Sequence, residues 1–302
     1  MFVKESMSKP LDAAIVGEIF VDHILHGFTH WPTLGEEVYC RQYVREIGGG
    51  TANTACALAK LGRRTAIFGC VGAEDAAWIR NRLTSFGVQV ENLITLDKPS
   101  GVTVAVSTTE DRTFFTYPGA NRGLPAILRA PAFHEALAEA RHVHFSCPIL
   151  WEDAAVLFPK LRAAGCTLSL DAGWHPDWLR APETAKLLEM VDWFFPNEKE
   201  GAWIAGVNKP AEILQRLGSS AVLKLGPQGA AILDNGSMLT ASAPSATAID
   251  TTGAGDAFDA GFLDAFLDGG NPAEWLRRGV RCGTLSTRAA GALAGLPERK
   301  EL

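Results

Sequence analysis

From residue 51 onward the sequence alternates between segments of helical and of strand-like periodicity, and this rhythm restricts the chain to a small set of architectures. The helical pattern runs over 51–61 and 74–86. Strand-like apolar runs occupy 65–71, 142–146, 166–171 and 191–195, with further candidates at 221–225 and 230–233. Strands separated by helix-length segments pair in parallel, so the pattern predicts an α/β fold: a doubly wound, mostly parallel sheet with helices on both faces. A chain of 302 residues, 47% hydrophobic and 21% charged, carries enough apolar material for one large core or a core plus a small appendage.

Two stretches break the rhythm. EEVYCRQYVRE (36–46) and the pair VTVAVS (102–107) and TFFTY (113–117) alternate apolar with polar residues, and turn-forming TTEDR joins the last two. They predict a small antiparallel sheet inserted into the α/β body, with strands from about 31–47 and 100–120. A sheet of that size needs something to lie over, either an active site as a lid or a second subunit. There is no internal repeat, low-complexity tract or long linker, so residues 1–302 read as one domain with a lid.

The formal net charge is −6 with no long run of Lys or Arg, which removes the electrostatic footprint of a nucleic-acid binder. No window reaches the ~18 apolar residues of a membrane span. The start, MFVKESMSKPLDAAIVG, lacks a long apolar segment ending in a small-residue cleavage site. The expectation is a cytoplasmic protein without nucleic-acid or membrane partners. The six cysteines are scattered without a CxxC pair, mostly in apolar stretches such as IFGCVG and GCTLSL, where a thiol acts as a small hydrophobe. His142 and His144 flank Val143 and share one strand face, with no Cys or carboxylate near in sequence, which suits a structural role.

The chemistry concentrates in AIDTTGAGDAFDAGFLDAFLDGG (248–270). Ala257, Phe258, Gly261, Phe262, Ala265 and Phe266 recur at helical spacing, so a helix begins near Gly253 with GAGD as its first turn. Glycines there let the backbone approach a ligand closely, and the free N–H groups at a helix start form a site for a phosphate or a developing negative charge. Asp256 lies within the same turn. An ordinary capped helix, with Thr251 or Thr252 as cap, requires no such string.

Further strings stand in order around this one: GEIFVDHIL (17–25), WPTLGEEV (31–38), GGGTANTACALAKLG (48–62), TYPGAN (116–121), PNEKE (196–200) and KLGPQG (224–229). GGGTANTA lacks the GxGxxG of a dinucleotide loop, which disfavours a Rossmann oxidoreductase. Asn53, one turn into its helix, is polar where Ala or Leu would stabilise more, which favours a ligand contact. Asn197 followed by Glu200 is also a helix-start pattern. Taken together, in order and approximate spacing, the strings resemble the signatures of the ribokinase-like PfkB family of carbohydrate kinases over nearly the whole chain.

The resemblance implies ATP-dependent phosphorylation of a hydroxyl on a sugar or sugar-like molecule. Asp256 would be the catalytic base, and the amides of Gly253, Ala254 and Gly255 an anion hole. The family's substrate contacts fall on Asp22, placed on its first strand, and on Gly49 and Asn53, with Asp256 also meeting the acceptor. ATP would lie along Lys224, Gly226 and Gly229, and Glu200 with Asn197 would hold Mg²⁺ through water. In relatives activated by K⁺ the Asp-Thr-Thr string helps bind the cation, which points here to Asp250 and Thr252. The remaining ligands would come from 287–295, a tract one residue longer between Arg288 and Gly291 than ribokinases show. Where ribokinases carry a sugar-binding glutamate, HFSCP places Ser146 or Cys147, which leans away from ribose. DAGWHPDW also departs from the Asp-x-Asn-x-Arg pattern of many fructokinases. Trp31, Phe115 and Trp174 are candidate stacking surfaces for a sugar ring or a nucleoside base. A nucleoside kinase of the same family is the near alternative, and a catalytically silent sugar- or nucleotide-binding protein the more distant one. A homodimer through the lid is a further expectation.

Overall fold

The run LDAAIVG is buried along its whole length, as only a strand covered on both faces can be. The computed structural model describes residues 9–107 and 112–302, and this run is its first strand. The strands in chain order are β1 Leu11–Gly17, β2 Phe20–His26, β3 Gln42–Gly48, β4 Thr65–Gly72, β5 Leu93–Leu96, β6 Gly101–Ser107 and β7 Arg112–Tyr117. They continue as β8 Ala140–Ser146, β9 Thr167–Leu170, β10 Trp193–Phe194, β11 Val222–Lys224, β12 Ala230–Asp234 and β13 Ser237–Ala241.

Six of them form an all-parallel sheet in the order β10-β9-β8-β1-β4-β5, the predicted doubly wound architecture. Side-chain alternation along β1 feeds two cores. Ala13 and Ile15 pack with helices Gly50–Lys60, Ala254–Leu267 and Pro272–Ser286, while Ala14 and Val16 pack with Phe145, Phe158 and the helix Trp151–Ala163. Strands β11 to β13 form an antiparallel sheet joined to the edge of the main one by bridges Phe194–Ala221 and Asn197–Lys224. His142 and His144 both hydrogen-bond Ser169 Oγ, each at 2.7 Å, inside the sheet.

A second sheet, β3-β2-β6-β7, corrects the sequence reading in three respects. GEIFVDHIL does not supply the first strand of the main sheet: FVDHILH alternates buried with half-buried residues and goes to the small sheet, leaving the continuously apolar LDAAIVG for the centre. The small sheet is mixed, because β2 pairs parallel with β6 and antiparallel with β3. Of 31–47, only the part from Gln42 onward is strand, since Pro32 and Gly35 interrupt the pattern before it. The turn read from TTEDR falls on 108–111, outside the described residues.

Only Glu18 and Ile19 separate β1 from β2, and the junction is clamped. Asn121, just after β7, accepts from Ile19 N (3.0 Å) and donates to Ile19 O (2.9 Å), so the segment that follows β7 is tied to the β1–β2 junction, one of several crossings between the two sheets. The small sheet thereby hangs over the C-terminal ends of the parallel strands, where open α/β sheets bind ligands.

Candidate active site

Gly49 precedes the helix Gly50–Lys60 with φ 88°, and a Cβ there would lie 2.7 Å from Glu18 O. This left-handed turn brings Asn53 into the interior at 6% exposure. Its Nδ2 donates to Asp256 Oδ2 at 2.8 Å, so the two halves of the sequence meet across 203 residues. Asn53 Oδ1, Thr51 Oγ1 and Ser146 Oγ are buried without a partner among the described residues. Orphaned polar atoms beside a carboxylate are the mark of a place that receives a polar ligand or water.

The helix Ala254–Leu267 starts as the periodicity predicts, after Gly253 at φ 73°, and no side chain caps it. Thr251 and Thr252 are therefore not its caps. The Ala254 amide donates to Thr251 O at 3.2 Å, so of the three expected anion-hole donors this one is engaged within the turn. Asp256 sits in the first turn with Oδ1 turned to Gly50, where a Cβ would approach it to 3.2 Å. Burial and then the Asp171 charge push its pKa up to about 6, against the pull of the Asn53 bond and of Lys224.

Asp22 lies on β2 with its carboxylate packed on Gly48, where any Cβ would collide with Oδ2 at 2.0 Å. Burial, then the charges of Glu46 and Asp256, raise its pKa to about 7. Asn53 and Asp256 are thus bonded to each other, and Asp22 stands near enough to feel the Asp256 charge.

On the other side of the same helix start lies a cavity of about 780 Å³, bordered by Lys224, Gly226, Gly229, Gly255 and Thr284. Gly229 has φ 103° and a Cβ there would lie 1.9 Å from Ala241 O, so the close turn requires glycine. Asn197 and Glu200 form a complete capping box, with both bonds at 2.9 Å. The box uses Glu200 Oε2, while burial and then the Asp171 charge raise this carboxyl to about 7. Asp250 accepts from Thr252 N (2.9 Å), Thr252 Oγ1 (2.7 Å) and Gly291 N (2.8 Å), tying the Asp-Thr-Thr string to the tract after Arg288.

Lys224 is not a lone cation on the cavity wall. Its Nζ donates to Asp171 Oδ2 at 2.7 Å and to Asp259 at 3.3 and 3.5 Å. Sequence reasoning missed both carboxylates. The signal for Asp259 was its position one turn after Asp256 on the same helix face; Asp171 closes a buried strand, where an unpaired acid would be costly. Trp31 and Phe115 stack at 6.3 Å, whereas Trp174 packs on Trp203 at 4.7 Å.

A model of the family described as "pfkB family carbohydrate kinase" matches residues 11–299. The 2-dehydro-3-deoxygluconokinase of Bacillus subtilis is 28% identical over 282 residues, covering 86% of this chain and 86% of its own. The nucleoside kinase of Methanothermobacter thermautotrophicus is 27% identical over 274 residues, covering 87% of this chain and 85% of its own. Among solved structures, Arabidopsis thaliana ribokinase complexed with ribose and ATP superposes with a TM-score of 0.85 at 26% identity, covering 96% of this chain and 97% of that one.

Proposed function

Given that the chain belongs to the pfkB family of carbohydrate kinases, we propose that it moves the γ-phosphoryl group of ATP to a hydroxyl of a sugar or sugar-like acceptor, with Asp256 as the base. The observation that carries this reading is the Asp256 carboxylate in the first turn of its helix, bonded to Asn53 and near Asp22, while Ala254 and Gly255 of the same turn border the 780 Å³ cavity. Phosphoryl transfer asks mainly for alignment and neutralisation of charge. The acceptor fits between Asp22, Gly49 and Asn53, with its hydroxyl at Asp256, which takes the proton as the oxygen attacks in line. The amides of Gly253 and Gly255, with that of Ala254 held by Thr251 O, receive the charge on the group in flight.

The nucleotide lies along Lys224, Gly226 and Gly229, whose close-packed turns leave room for phosphates. Glu200 suits a magnesium ion held through water, because a divalent cation would relieve both influences that raise its pKa. Such an ion neutralises phosphate charge when bound. Asp250 and Thr252, already converging with Gly291, are the proposed K⁺ ligands. The small sheet is read as the lid of a single 1–302 domain; Tyr43, Phe115 and Tyr117 on it are at least half exposed and offer a face for a second copy.

The acceptor class is tested by an ATP-consumption screen across sugars, sugar acids, polyols and nucleosides, with and without K⁺. No turnover on any of these would end the reading. A nucleoside acceptor is the second reading, carried by the stacked Trp31 and Phe115. With the acceptor found, Asp22→Ala should raise its KM about 10-fold, the scale of one lost charged hydrogen bond, while the KM for ATP stays put. An unchanged acceptor KM would remove Asp22 from the binding set.

A further inference from the structure

Lys224, Asp171 and Asp259 converge from three elements: the end of β11, the residue after β9, and the second turn of the Ala254 helix. The Lys224 side chain is only 12% exposed and that of Asp259 is wholly enclosed. Burying an ammonium ion this deeply costs several kcal/mol unless an anion accompanies it. Asp171, held low against the opposing effect of burial by the Lys224 charge and an Asp259 hydrogen bond, meets that need, while burial pushes the Asp259 carboxyl well up. Their placement is specific: a Cβ on Gly255 would stand 3.3 Å from the Lys224 Nζ. The ammonium therefore rests against the Gly255 turn, and both border the same cavity. A neutral packing group would hold these elements together as well, so the charge itself calls for a role.

We infer that Asp171 and Asp259 are positioning residues for Lys224, fixing its ammonium behind Gly255 so that a permanent cation reinforces the anion hole. This rests on the kinase reading above. The charge also bears on Asp256: Lys224 lowers its pKa and Asp171 raises it. The other ionisable groups facing this region are Glu200, on the helix Glu198–Ala205, and His144, on β8.

The test measures kcat and the pH profile of kcat/KM for Lys224→Met and Asp171→Asn, with Asp256→Asn as reference. Lys224→Met should lower kcat by ~10-fold, less than the loss of a direct anion-hole donor. The base works only when ionised, so Lys224→Met should move the acid limb to higher pH and Asp171→Asn to lower pH. A merely structural salt bridge would move neither limb in opposite senses. Should Lys224→Met not fold, Asp259→Asn takes its place, with lowered kcat and unchanged acceptor KM expected. Wild-type kcat and unmoved limbs in folded variants, alongside an inactive Asp256→Asn, would overturn the inference and leave the kinase reading intact. An active Asp256→Asn would instead remove Asp256 as the base, and only absence of ATP turnover by the wild type would overturn the kinase reading.

Discussion

Asp256→Asn should lower turnover at least ~100-fold, the scale on which a general base contributes, while nucleotide affinity is retained. The amide keeps the size of the carboxylate and can still meet Asn53, but it has no basic lone pair for the acceptor's proton. In the intact enzyme the pKa of about 6 predicts an acid limb in kcat/KM near that pH. Activity is full above it and falls as pH drops through it, because protonation removes the base. Initial rates between pH 5 and 8, with nucleotide binding measured separately by calorimetry, check both statements. A near-normal rate in the variant would show that another group takes the proton.

Gly253→Ala should be nearly as damaging, through geometry instead of chemistry. At φ 73° a non-glycine residue is strained by about 1–2 kcal/mol, and the added methyl would meet Ala292 Cβ at 2.6 Å and Ala292 Cα at 3.1 Å. The turn must rotate to relieve that contact, and the first-turn amides rotate with it. Losing one preorganised donor of this kind lowers kcat by about 100-fold. The expected signature is a large fall in kcat and a lowered denaturation midpoint. A variant with wild-type kcat would mean that this turn does not carry the transferred charge.

Periodicity revealed the parallel sheet, and the glycine-rich strings revealed where the chain approaches a ligand, because both depend on local rules. The start of the Ala254 helix and the capping box at Asn197 and Glu200 were legible for that reason. The ownership of FVDHILH was not. An alternating strand fits a half-exposed sheet, and its partners, β3 and β6, are set by tertiary pairing that no window reveals. The fate of Lys224 was hidden for a similar reason: Asp171 and Asp259 lie 53 and 35 residues away, and only the folded chain brings three ionisable side chains to one point. Asp256 was found by its string, but its raised pKa comes from burial and then the Asp171 charge, against the pull of Asn53 and Lys224, and all of these are supplied by distant segments.

The clamp of Asn121 on Ile19 has a mechanical corollary. The clamp ties the exit from β1 to the exit from β7, so a tilt of the small sheet would load these two bonds, and β2 would carry Asp22 with it. If Asp22 holds the acceptor as proposed, its spacing from Asp256, which sits on the body, would change with that tilt.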